Sequence, residues 1–322
     1  MSLLTTMDSG MLLNLGLLLA GILFLYLGAE LLVDGASTLA VGVGITPATV
    51  GITVVAFATT TPELFVSMVG GIGISDDIGL GNILGSNIAN IGLVLGASAL
   101  VQPLDVDSAV LRKHGPFMFV AALLLVGLGM DGHISALDGA LMLLLLATFT
   151  GYLIYDSRGA EDVAITEDVE LEDESSTLRD TALLIGGGVL LLVGSMGLLE
   201  GSTNLLRAYG VSNLVIGLTV VAFGTSLPEL ATSVVSSVRG EAEFSIGNVI
   251  GSNIYNVLAV IGLLAVVNPL QVKPGVESFH FPILIGFTVG ALALMAANRR
   301  ISRLNGVALL GGYSVFVYLL FF

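Results

Sequence analysis

The phrase GITVVAFATTTPELFVSM (51–68) recurs as GLTVVAFGTSLPELATSV (217–234), identical at 11 of 18 positions and displaced by 166 residues. A second pair keeps that displacement: GNILGSNIANIGLVLG (81–96) matches GNVIGSNIYNVLAVIG (247–262) at 9 of 16 positions. A common offset without gaps marks a duplicated unit. Both copies are embedded in apolar sequence. The chain is 55% hydrophobic and 11% charged, where a soluble domain carries about 25% charged residues. Its mean hydropathy is +1.00. Runs such as MLLNLGLLLAGILFLYLGA (11–29) reach the roughly 20 residues that a helix needs to cross a bilayer. The expected fold class is an all-α polytopic membrane protein.

Hydropathy divides the 322 residues into about ten spans: 11–32, 38–73, 81–101, 115–130, 134–155, 181–200, 212–238, 247–267, 279–297 and 303–321. Arg112, Lys113, Arg158, Arg179, Arg239, Arg299, Arg300 and Arg303 then fall in loops on one side, and only Arg207 and Lys273 on the other. By the positive-inside rule the loops after spans 1, 3, 5, 7 and 9 face the cytoplasm and both termini lie outside. Five spans separate each element from its copy. Five is odd, so the second half is upside down relative to the first, as in secondary transporters with a site at the repeat interface. The expected organisation is a first five-helix repeat over 1–155, an acidic cytoplasmic linker over 156–180 and a second, inverted repeat over 181–322. The linker holds ten acidic and two basic residues, so it reads as a solvated connection.

Several classes drop out. The chain has no cysteine and three dispersed histidines, His114, His133 and His280, which excludes disulfides and thiolate metal sites. A net charge of −15 disfavours nucleic acid and anionic lipid as partners. With two lysines among ten basic residues, the surface suits a high-salt cytoplasm. The N-terminus MSLLTTMDSG carries no Lys or Arg, so it lacks a signal peptide's basic region and the first span is expected to be retained. GxxxxGK[ST] is absent. No cofactor, no enzymatic activity and no obligate protein partner are implied.

The chemistry sits in TPE and SLPE. Pro62 and Pro228 have no backbone N–H, so carbonyls near Ala58 and Gly224 lose their helical partner. Such backbone is tolerated at membrane depth only when buried in protein or lining a wet cavity. Freed carbonyls, the hydroxyls of Thr59, Thr60, Thr225 and Ser226, and the carboxylates of Glu63 and Glu229 make an all-oxygen cage suited to hard cations such as Na⁺ and Ca²⁺. Glu63 and Glu229 are related by the repeat, and two facing carboxylates repel unless a proton or cation intervenes. One Ca²⁺ or two Na⁺ neutralises the pair, and two kinds of ion competing for it is the physical basis of antiport. Ser86 with Asn90, and Ser252 with Asn256, are four apart on one helix face and complete the cage. Asn87 and Asn253 are read as bridging helices. Glu30, Asp34 and Glu200 are read as solvated residues near span ends, and His114 as a cytoplasmic flank.

AFATTTPELFVS with GNILGSNIANIG, and AFGTSLPELATS with GNVIGSNIYNVL, resemble the two alpha-repeats of the sodium/calcium exchangers, in the cation/calcium antiporter superfamily. The likeness runs through about 35–102 and 200–268. It implies a prokaryotic-type exchanger with clustered cation sites at the midplane, bridged by Glu63 and Glu229. The other implied ligands are Thr59, Thr60, Ser86, Asn90, Thr225, Ser226, Ser252 and Asn256, with the backbone carbonyls of Ala56 and Ala222. It also implies that the first and sixth spans slide across the rest. Where the first repeat usually reads TSxPE, this chain has Thr60 and Thr61. Asn256 stands where some members, including the potassium-dependent branch, carry Asp, which points away from K⁺ cotransport.

The function expected is Na⁺/Ca²⁺ exchange across the cell membrane by alternating access, with Na⁺, Ca²⁺ and the lipid bilayer as partners. An H⁺/Ca²⁺ (or other divalent cation) antiporter of the same superfamily is the nearest alternative. A cation channel, or a scaffold or sensor whose acidic loop reads Ca²⁺, represents other classes.

Overall fold

The computed structural model describes residues 9–43, 46–73, 76–158, 175–210 and 224–321. The architecture is all-helical, with four two-residue strands at the loops. In chain order the helices are α1 (Ser9–Val43), α2 (47–59), α3 (Thr61–Gly73), α4 (76–101), α5 (110–129), α6 (Ala136–Arg158), α7 (Ser175–Ala208), α8 (Leu227–Val238), α9 (242–267), α10 (276–298) and α11 (Arg303–Phe321). Among the described residues eight helices are long and apolar enough to cross a membrane, and the bent pair α2–α3 makes a ninth span. The first part of the expected span 212–238 lies outside the described residues, as does linker segment 159–174. Residues 156–158 finish α6 and 175–180 begin α7.

Helices α4 and α9 occupy the centre: 78% of each one's membrane window is buried, against 17% for α11. Their glycines allow this. A Cβ on Gly251 would lie 2.4 Å from the Ile52 carbonyl oxygen of α2, so only glycine permits that approach. The outer helices turn large apolar side chains outward, as Leu19, Leu144 and Val315 do, which is the pattern lipid selects.

Helix α1 is longer than expected. At 35 residues and 1.5 Å per residue it spans about 50 Å, well over the roughly 30 Å hydrocarbon core. The expected span ends at 32. Glu30 and Asp34 both lie within α1, joined to Arg239 just beyond the end of α8; Asp34 and Glu200 are exposed as expected, and Glu30 is partly buried. His114, expected at a span flank, lies in the first turns of α5 and is buried there, 3% exposed.

Helices α1 and α7 pack against each other along a glycine seam. Gly21, Gly28 and Gly35 recur every seven residues, and Gly187, Gly194 and Gly201 repeat them at the offset of 166. A Cβ on Gly21 would sit 2.8 Å from the Gly194 carbonyl oxygen, and one on Gly187 2.7 Å from that of Gly28. The order of these contacts makes the two helices antiparallel. Small residues are what let membrane helices approach this closely.

The loops confirm the inversion. Strand β1 (Leu104–Asp105) pairs antiparallel with β4 (Arg300–Ile301), and β2 (His133–Ile134) with β3 (Leu270–Gln271). Each sheet joins a loop of one half to a loop of the other: those after spans 3 and 9 meet, and those after spans 4 and 8 meet. Odd loops therefore share one face and even loops the opposite face. Arg300 Nε lies 3.3 Å from Asp105 at the odd-loop face, and Lys113 Nζ lies 2.6 Å from Asp156.

Candidate functional site

Both proline motifs break a helix. Helix α2 ends at Thr59, Thr60 forms the corner, and α3 restarts at Thr61 at an angle of 44°. In the second half Thr225 and Ser226 make the turn and α8 starts at Leu227. Pro62 and Pro228 therefore stand at the start of a half-helix, where a missing N–H costs nothing. Glu63 and Glu229 lie in the first turn, where unpaired N–H groups and the helix dipole favour negative charge. This explains how each carboxylate sits at 0% exposure in an apolar protein.

The two corners clasp each other across the repeat. Thr60 Oγ1 donates to Glu229 Oε1 at 3.5 Å, and its mate Ser226 Oγ donates to Glu63 Oε1 at 3.5 Å. Thr59 Oγ1 lies 3.3 Å from Ser252 Oγ, and Asn256 Nδ2 donates to Asn87 Oδ1 at 3.0 Å. Thr59, Thr60, Ser86, Asn90, Thr225, Ser226, Ser252 and Asn256 are all at most 5% exposed. Asn90 and Asn256 each open a π-helical segment, Asn90–Leu95 and Asn256–Ile261. Such segments widen the helix and recur at functional sites.

Among the described residues, Glu63 Oε2, Glu229 Oε2, Ser86 Oγ, Asn90 Oδ1, Thr225 Oγ1 and Asn256 Oδ1 are buried with no geometrically close hydrogen-bond partner. Native proteins rarely leave such groups unsatisfied. A set of acceptor oxygens with two carboxylates suits a hard cation as substrate. Among the described residues no group of three or more His, Cys, Asp or Glu forms. The Ala56 carbonyl, expected as a ligand, accepts from Thr60 N at 2.9 Å and lies 3.3 Å from Thr59 Oγ1. Ala222 lies outside the described residues. Asn253 Nδ2 donates to the Val249 carbonyl at 2.7 Å within its own helix.

Four polar residues escaped the sequence reading. Asn82 donates to Ser67 Oγ at 3.0 Å, and its repeat mate Asn248 donates to Ser233 Oγ at 2.9 Å. The signal was present, because all four are identical between the matched segments.

Two inverted five-span halves around a buried, doubly carboxylate oxygen site define an inverted-repeat membrane transporter. The family model for the sodium/calcium exchanger protein matches residues 13–155 and 180–322. The inner membrane protein YrbG of Escherichia coli strain K12 is 34% identical over 318 residues, covering 97% of this chain and 98% of its own. The sodium/calcium exchanger MaX1 of Methanosarcina acetivorans is 30% identical, covering 96% and 99%. The solved structure of the sodium-calcium exchanger NCX_Mj, soaked with zero Na⁺ and Ca²⁺, superposes with a TM-score of 0.84 at 29% identity, over 96% of this chain and 99% of that one. The chain belongs to the sodium/calcium exchanger protein family.

Proposed function

We propose that this protein exchanges Na⁺ for Ca²⁺ across the cell membrane by alternating access, inward Na⁺ flow driving Ca²⁺ out. The observation that carries the reading is the reciprocal clasp of two fully buried carboxylates, Glu63 with Ser226 and Glu229 with Thr60. Two like charges buried together need a counter-charge. Ca²⁺ supplies two charges to the pair, and Na⁺ ions supply the same charge while also using neutral oxygens. Both ions compete for the two carboxylates, so one leaves as the other arrives. Glu63 and Glu229 bridge the cations. Thr59, Thr60, Ser86 and Asn90, with Thr225, Ser226, Ser252 and Asn256, complete the coordination, together with the backbone carbonyls of Ala56 and Ala222. Na⁺ and Ca²⁺ are substrates, no resident cofactor takes part and no covalent chemistry is needed. The relative NCX_Mj, described in Na⁺, Ca²⁺ and Sr²⁺ soaks with induced binding-site occlusion, supports the same ion classes here.

Residues 1–155 and 181–322 act as the two repeats, the acidic connection between α6 and α7 is cytoplasmic, and both termini lie outside. The basic residues on the odd loops and the pairing of β1 with β4 support that orientation.

The test is Ca²⁺ uptake into Na⁺-loaded proteoliposomes, with and without an outward Na⁺ gradient. Wild type accumulates Ca²⁺ only with the gradient. Glu63→Gln, which keeps the shape and removes the charge, falls to the level of empty liposomes. Uptake that ignores Na⁺ and follows a pH gradient replaces this reading with proton-coupled exchange. Discrete single-channel currents replace it with a channel.

A further inference from the structure

We propose that Asn248 is a positioning residue for ion coupling: its side-chain amide takes the proton of the Thr59 hydroxyl and so turns Thr59 into a pure acceptor facing the cation site. The inference rests on the exchanger reading and adds to it a residue that touches no ion itself. Asn248 is 0% exposed and lies on α9, behind the carboxylate-bearing corners. Thr59 Oγ1 donates to its Oδ1 at 3.0 Å. Its Nδ2 donates to Ser233 Oγ at 2.9 Å and to the Glu229 carbonyl at 3.3 Å. One amide therefore grips the last turn of α2 in the first repeat and the first turn of α8 in the second.

A hydroxyl carries one proton and two lone pairs. Two acceptors stand near it, Asn248 Oδ1 at 3.0 Å and the Ala56 carbonyl at 3.3 Å, and the shorter contact takes the proton away from the site. With Asn248 Oδ1 as acceptor, the Thr59 oxygen is left only to accept, one lone pair taking the proton of Ser252 Oγ at 3.3 Å and the other remaining for a cation. The repeat mate of Asn248 makes half of this arrangement: Asn82 donates to Ser67 Oγ at 3.0 Å, as Asn248 does to Ser233.

A neutral hydroxyl contributes most to a monovalent ion, because Ca²⁺ draws its affinity chiefly from carboxylate charge. Replacing Asn248 should therefore weaken Na⁺ more than Ca²⁺. In reconstituted protein, Asn248→Leu raises the Na⁺ concentration for half-maximal exchange by about three- to tenfold, the range of one neutral hydrogen bond. The Ca²⁺ half-saturation stays within about twofold of wild type, because the carboxylates are untouched. In a Thr59→Val background the same replacement adds little, since the proton it would have accepted is gone. Asn248→Ala gives the same three readings if the leucine variant fails to fold. A wild type that exchanges nothing overturns the exchanger reading and this inference together. With wild-type exchange intact, Na⁺ and Ca²⁺ half-saturation moving in parallel, an unchanged Na⁺ dependence, or independent effects of the Asn248 and Thr59 replacements overturn the positioning role alone.

Discussion

Helix α7 contains its own control for the seam with α1. Residues 186–188 read GGG, yet only the central glycine faces α1. A Cβ on Gly187 would lie 2.6 Å from Leu32 N and 2.7 Å from the Gly28 carbonyl oxygen, while a Cβ on Gly186 or Gly188 meets nothing within 4 Å. Ordinary contact for a Cβ begins at 3.4 Å, so Gly187→Ala requires the helices to part by roughly 0.7 Å, an overpacking of the kind that costs about 1–3 kcal/mol. Against this stands the helix preference for Ala over Gly, about 1 kcal/mol. The flanking substitutions collect the preference without the clash. Gly187→Ala should be the least stable of the three, with Gly186→Ala and Gly188→Ala at or above wild type. Thermal unfolding in detergent, followed by circular dichroism, orders them directly. If Gly187→Ala melts with or above its two neighbours, the backbone contact across the seam is not there.

Two further predictions concern the odd-loop end of α1. Arg239, joined to Glu30 and Asp34, has no counterpart at the symmetry-related position, which is Gly73. The ion pairs therefore favour one end state, and Arg239→Gln should shift the balance toward the state open at that end by about two- to fivefold, the worth of partly exposed pairs; because the chain has no cysteine, labelling of a single cysteine placed at Ser236 reads the shift, and unchanged labelling sinks the idea. At the same corner Glu241 accepts from Ser37 Oγ at 3.2 Å, and burial pushes its carboxyl above the usual range. Its folded pKa exceeds the unfolded one, so the ionised form costs stability at neutral pH, a cost that disappears as pH falls through the raised pKa; Glu241→Gln should accordingly melt higher than wild type at pH 7 and level with it in acid, and equal midpoints at both pH values would contradict the shift.

The architecture was legible from Pro62, Glu63, Ser86 and Asn90 because each has a mate at one offset, and an odd number of spans between mates forces inversion. The proline positions also announced broken helices. What escaped were features decided by contact. Glu30 and Asp34 look like flanks until Arg239, some 200 residues on, is placed beside them. Asn82 and Asn248 look like ordinary helix-bridging amides until one is seen to accept from Thr59. Asn90 and Asn256 advertise polarity, yet nothing in a linear pattern of 3.6 residues announces the wider turns they open. The glycine heptads could have been found, because they keep the offset of 166 already visible in the motifs.

That seam ties the history of the two halves together. Since duplication most of the chain has been free to diverge, and even the motif copies differ at 7 of 18 positions. The glycines have less freedom. Gly28 rests against the backbone beside Gly187, and Gly21 against Gly194, so each copy of the heptad is the mould in which the other is cast. A side chain acquired by one copy is felt at once by its twin, and drift in either half is corrected by the shape of the other.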